Sequence, residues 1–228
     1  MLSVKNNKNN VKDSIMTISA IRRLLAFVSV SLLLPLWTSS AFALVIDDHE
    51  IESIIPATSQ HPELRLNGAS MRVLYGVVDT YIGKLYVENP TTDEKLLVES
   101  DQYKRMVFHI AMKRVSGRRI AKALYDALQL NLTEEEALAL EDRLQLMVEM
   151  FDETVHRGEE GYIEWVPGLG SRIVLDGHVK GVIAGKDVYD AILEIWVGEN
   201  PVGSTFKNQI LGLEEYQEPK SMRRRGRR

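Results

Sequence analysis

The stretch that decides the fold is ELRLNGASMRVLYGVVDTYIGKLYVE, residues 63–88. Val73, Tyr75 and Val77, then Tyr81, Leu85, Tyr86 and Val87, fit a pleated, half-buried surface and predict strands. Asn67-Gly68 marks a turn before them and Asn89-Pro90 one after. Downstream, KRMVFHIAMKR (104–114) alternates, with Met106, Phe108, Ile110 and Met112 on one face. That period of two belongs to a strand with one buried side.

Helices follow these strands. Ser116 is placed to cap a helix to about Leu130, with Ile120, Ala123, Leu124, Ala127 and Leu128 on one stripe. Thr133-Glu134-Glu135-Glu136 has the form of a capping box, hydroxyl and carboxylate each satisfying a backbone amide. It opens a second helix to about Thr154. Residues 162–166 and 171–175, joined by Pro167-Gly168-Leu169-Gly170, predict a β-hairpin. Asp176-Gly177 turns into a strand from His178 to Ile183. A helix from about Val188 to Val197 comes next, and Ser204 caps a short last one to Leu211. Residues 44–62 have no sustained period and suggest a lead-in segment with one edge strand. Strands, then helices, then strands again predict an α+β fold, an antiparallel sheet with helices on one face. A body of about 170 residues buries roughly 70% of its surface, so one core suffices.

Charge divides the chain. It has 28 basic and 32 acidic side chains, net −4. Five basic residues and one acidic lie in the first 43 positions, and five arginines in the last six, leaving net −13 between. An acidic body argues against nucleic acid as a partner. Arg22 and Arg23 precede an apolar run, Leu24–Trp37, followed by Ala41-Phe42-Ala43. A basic start, an apolar stretch of about 7–15 residues and a small-x-small site predict an export signal cleaved after Ala43. The run is shorter than the roughly 20 residues of a membrane span. Translation from Met16 would give that signal an ordinary length. The expected compartment is the periplasm or the exterior. Arg223, Arg224, Arg225, Arg227 and Arg228 form a basic tail suited to solubility or to anionic lipid head groups.

Conventional chemistry is missing. There is no cysteine. His49, His61, His109, His156 and His178 are scattered without ligand spacing, so no metal or other cofactor is expected. No phosphate loop, nucleophile elbow or dinucleotide fingerprint is present. Lys113, Arg114, Arg118 and Arg119 form the body's one basic cluster.

Three strings, in order and spacing, carry a family resemblance: Leu66-Asn67-Gly68-Ala69-Ser70-Met71-Arg72 with Tyr81 to Glu88; Val115-Ser116-Gly117-Arg118-Arg119 ahead of a helix; and Gly185-Lys186-Asp187 ahead of Ala191 to Gly198. They resemble chalcone-isomerase-fold proteins, most of all the bacterial exported branch, over about residues 63–212. The resemblance implies an open-faced β-sandwich, a large antiparallel sheet covered by a layer of helices. It places Arg72 on the arginine that positions substrate in the plant enzymes. Their ketone-polarising threonine falls on Tyr81, and their helix tyrosine, helix asparagine and late threonine or serine fall on Ile120, Ala127 and Ile195. Three polar groups have become apolar. Losing one oxyanion donor typically costs about 10²–10³ in rate, so the pattern points away from catalysis. It resembles the family's fatty-acid-binding branch, with Arg72 and Tyr81 on an acidic head and Ile120, Ala127 and Ile195 as wall. The residues leave open an isomerase or lyase with another residue set, and a scaffold with no ligand.

Overall fold

The computed structural model describes residues 44–218. The export signal and the arginine tail lie outside the described residues. Eleven strands and five helices are described. In chain order they are β1 (Leu44–Ile46), β2 (His49–Ile51), β3 (Ile54–Ile55), β4 (Leu64–Leu74), β5 (Val78–Val87), α1 (Glu94–Glu99), β6 (Lys104–Ile110), β7 (Arg114–Ser116), α2 (Gly117–Leu128), α3 (Glu134–Glu149), β8 (Thr154–His156), β9 (Glu160–Val166), β10 (Gly170–Leu175), β11 (His178–Ile183), α4 (Lys186–Val197) and α5 (Ser204–Ile210).

Seven strands make one antiparallel sheet in the order β11-β10-β9-β6-β5-β4-β3. β1–β2 and β7–β8 are separate two-stranded pairs. Alternation along the strands sorts side chains to two faces. Leu85, Val87, Met106, Ile163 and Ile173 enter the main core with α2, α3, α4 and α5. Ala69, Met71 and Ile82 face the other way, against Ile46 and Ile51 of the β1–β2 hairpin. The expected fold class, an α+β sheet with a helical layer on one face, is the observed one.

Local chemistry sets two of the five described helix starts; α2, α4 and α5 begin without a side-chain cap bond, so neither Ser116 nor Ser204 caps as expected. Thr133 Oγ1 accepts from the Glu136 amide at 3.3 Å, and Glu136 accepts from the Thr133 amide at 2.8 Å, so the capping box is complete. The short helix α1, not foreseen, is capped by Asp93, whose carboxylate accepts from the Leu96 amide at 2.9 Å. α3 ends at Glu149 rather than near Thr154, because Thr154–His156 pairs with Arg114–Ser116 as β8. Asn67-Gly68 is not a turn. It lies inside β4, where the pairing with β5 slips between Leu66 and Gly68. α5 packs so closely there that a Cβ on Gly68 would fall 2.1 Å from the Gln209 carbonyl oxygen. Only glycine permits that approach.

Candidate functional site

Arg72 and Tyr81 are direct cross-strand partners of β4 and β5. They share the face that carries Ser70, which donates to Gln209 of α5 at 2.6 Å. They therefore look toward the helices. Arg72 is partly buried. Its Nη1 donates to the Val73 carbonyl at 3.0 Å and faces Gly203, where a Cβ would lie 3.7 Å away. No carboxylate is within ion-pair distance of Arg72 among the described residues. The other described arginines that are not exposed differ: Arg105 and Arg172 both bind Glu164, and Arg143 binds Asp187, whereas Arg114, Arg118, Arg119 and Arg157, which have no ion pair among the described residues, are exposed. A partly buried guanidinium without a counter-charge is uncommon, because desolvation is ordinarily offset by pairing.

Tyr81 sits in an aromatic group. Its ring meets Phe108 edge-on at 5.4 Å and Phe206 at 5.9 Å, and Phe108 lies 5.2 Å from Trp196. Trp196 Nε1 donates to the Tyr81 hydroxyl at 2.9 Å. The hydroxyl's own proton is thereby turned outward from the indole. Burial pushes its pKa up to about 12, with the Trp196 hydrogen bond and the Arg72 charge restraining the rise. Tyr81 stays a neutral donor at every physiological pH, beside a fixed positive charge. Together the two residues set a fixed positive charge beside a hydroxyl donor, the pair of groups that hydrogen-bonds an anion.

The residues expected as wall lie on the helices above. Ile195 of α4 is buried, and its carbonyl accepts from the Val202 amide at 2.9 Å, just ahead of Gly203. Ile120 and Ala127 lie two turns apart on α2, partly buried against the same core. The structure thus joins Arg72 to Tyr81 directly and brings Ile195 next to their partner Trp196. Ile120 and Ala127 border the same core from the neighbouring helix. Phe108, Trp196, Phe206 and Gly203 complete the seam. Phe108 was legible as a residue on the buried face of its strand, but only the fold shows that it and Trp196 meet Tyr81.

A hollow of about 440 Å³ lies elsewhere, between the end of α2 and the start of α3. Tyr125, Leu132, Ala137 and Leu138 line it with Glu134 and Glu141. Its two carboxylates disfavour an anion there.

The sheet's opposite face carries two charge clusters. Glu164, fully buried, accepts from Arg105 Nε at 2.6 Å, Arg172 Nε at 2.5 Å and the Tyr103 hydroxyl at 2.6 Å. Burial comes first and the Glu164 hydrogen bond second in pushing that tyrosine to about 12. Nearby, His49, His109 and Glu160 place three donor atoms within 4.8 Å of one another, so two of the scattered histidines do meet. Lys84 Nζ already binds Glu160 at 2.6 Å and lies 3.3 Å from His49 Nε2. The imidazoles are stacked 3.9 Å apart and only 22° from parallel. A metal must lie near the plane of each ring it binds, and these planes do not converge. The geometry is that of an ammonium-filled cluster pinning β2 to the sheet.

Comparison with known proteins agrees with this fold. Among solved structures 36 chains are similar. One is a fatty-acid binding protein of Arabidopsis thaliana, with a TM-score of 0.61 at 16% identity, covering 74% of this chain and 95% of that one. At that identity the likeness establishes the fold. Among curated protein sequences none is significantly similar. Residues 46–212 match the chalcone isomerase-like family, and this chain belongs to it.

Proposed function

We propose that this protein binds a fatty acid, or a similar apolar carboxylate, with its head on Arg72 and Tyr81, and carries it without chemical change. The observation that carries the reading is the partly buried Arg72 guanidinium, without an ion pair among the described residues, beside a hydroxyl whose proton is free to donate. The acyl chain enters the seam between the sheet and the α2–α4 layer, moving aside Phe108 and Tyr81, which keep part of their surface exposed. Each buried CH₂ contributes about 0.8 kcal/mol. The charge-assisted head contact adds roughly 1.5–3 kcal/mol. The fatty-acid binding relative of the same fold supports this ligand class. Apolar side chains at positions 120, 127 and 195 offer no donors to an oxyanion, which favours carriage over ring closure.

We further propose export through the Leu24–Trp37 signal, which places the carrier outside the cytoplasm. N-terminal sequencing of the mature chain tests this; a start at Leu44 supports it and retention of Leu24–Trp37 overturns it. Calorimetric titration with palmitate tests the ligand. Saturable binding lost in Arg72→Ala and partly kept in Arg72→Lys supports the site. Equal binding in all three refutes it.

A further inference from the structure

β4 and β5 join at a tip that turns apolar side chains to water. Leu74, Tyr75, Val77 and Val78 are all exposed, Tyr75 to 94%. The turn is closed by the Val77 amide donating to the Leu74 carbonyl at 3.1 Å, with Tyr75 at φ +52° and Gly76 at φ +68°. Two successive left-handed positions favour Asn-Gly or Asp-Gly. A tyrosine there gains no burial and carries backbone strain. Folding alone gives no reason for it.

Charge supplies a second, independent observation. In a body of net charge −13, exposed Lys113, Arg114, Arg118, Arg119 and Arg157 gather at this same end of the sheet. The chain leaving β6 runs past the root of the hairpin, where the Ala111 and Met112 amides donate to the Thr80 carbonyl at 3.0 and 3.2 Å. The Arg157 amide donates to the Lys113 carbonyl at 3.2 Å. None of the five cations is ion-paired among the described residues. Of the acids that border the collar, Glu159 is held by His156, and Asp152 and Glu153 by Lys180, while Asp47 and Asp79 lie beside Tyr216 on the opposite face.

We propose that tip and collar form a docking surface for an anionic phospholipid bilayer. Tyr75, Leu74, Val77 and Val78 enter the head-group layer, and the cations meet lipid phosphates. Tyrosine suits that boundary, with an apolar ring and a polar end. Each basic residue near an anionic surface multiplies partitioning by about fivefold. No described helix is long and apolar enough to cross a membrane; the proposed contact is that of tip and collar alone. Arg72 lies two residues from Leu74 in β4, so a docked molecule presents its acyl site at the lipid surface. That consequence rests on the proposed ligand; the docking does not.

The test is co-sedimentation of the full chain with vesicles of phosphatidylglycerol and phosphatidylethanolamine, against pure phosphatidylcholine. The wild type binds the anionic vesicles, and both Tyr75→Asn/Val77→Ser and Arg118→Glu/Arg119→Glu lose at least about tenfold. Tyr75→Asn suits the left-handed turn, so its Tm is unchanged or higher. Tyr75→Trp shifts its emission to the blue on anionic vesicles only. Palmitate binding in vesicle-free solution is the same in the tip variant as in the wild type, which separates this proposal from the ligand reading. Undiminished binding by both variants assigns any membrane affinity elsewhere and overturns the proposal. Absence of wild-type binding to anionic vesicles overturns it too, leaving the tip as a contact for a protein.

Discussion

Replacing Tyr81 by Phe removes one oxygen and separates packing from ligand contact. The ring keeps its place between Phe108 and Phe206, so little volume is lost. The Trp196 Nε1 donor, on a side chain only 1% exposed, loses its acceptor at 2.9 Å. An orphaned buried donor costs about 1–3 kcal/mol, and urea denaturation should show a loss of that size with an unchanged m-value. The second effect appears only with ligand. A hydrogen bond to a charged head is worth roughly 1.5–3 kcal/mol, so palmitate affinity should fall about tenfold to a hundredfold. Calorimetry well below the variant's Tm reads affinity apart from stability. A companion, Trp196→Phe, frees the Tyr81 hydroxyl without deleting it. Its affinity should fall less than that of Tyr81→Phe. If Tyr81→Phe loses stability yet binds palmitate as tightly as the wild type, Tyr81 packs the seam and touches no ligand.

Three further perturbations test the frame around the site. Glu164→Gln leaves Arg105 and Arg172 facing each other in a buried setting without their shared carboxylate; breaking such a cluster costs about 3–5 kcal/mol, and a change below about 1 kcal/mol in chemical denaturation would show the guanidiniums to be solvated. Gly68→Ala sets a Cβ against the Gln209 and Ile210 backbone, so α5 must shift; we expect about 1–3 kcal/mol of destabilisation and weaker palmitate binding, because α5 carries Phe206. Acid should loosen the β2 anchor. His49 is held below its ordinary 6.5 by burial, by His109 and by Lys84, so the unfolded chain takes up its proton first and stability is lost as pH falls below that value. Glu160 adds to this at lower pH. Burial raises its pKa, but the Lys84 hydrogen bond and charge prevail and hold it below 4.5, so its contribution is present above that value and disappears as pH falls through the folded one. Denaturation midpoints at about pH 7.5 and 5.5 should differ more for the wild type than for His49→Gln.

How much of this was legible depends on the range of the signal. The capping box at Thr133 and the period of two in Met106, Phe108 and Ile110 act within a few residues and stand as expected, except that the strand ends at Ile110, short of Met112. Asn67-Gly68 was misleading because the same dipeptide serves a turn or a close contact, and only the distant α5 backbone distinguishes them. α1 went unseen because six residues give too few turns to show a period. The Arg72–Tyr81 pairing follows from register, which a slip beside Arg72 alters by one residue. No residue spacing encodes that slip. Likewise, His49 and His109 are far apart in sequence, and their stacking requires the β1–β2 hairpin to fold onto the sheet. The apolar run at the tip could be read only as strand, since exposure is a property of the finished fold.

The most direct test of the central claim follows the carboxyl carbon of bound palmitate. Carboxyl-¹³C-labelled palmitate is titrated with pH on the wild type and on Arg72→Gln by NMR. The account predicts that the wild-type signal stays that of an ionised carboxylate well below the pH at which a free carboxyl protonates, because Arg72 and the Tyr81 hydroxyl stabilise the anion, and that Arg72→Gln restores the ordinary titration. A bound signal that titrates identically in both proteins would contradict it.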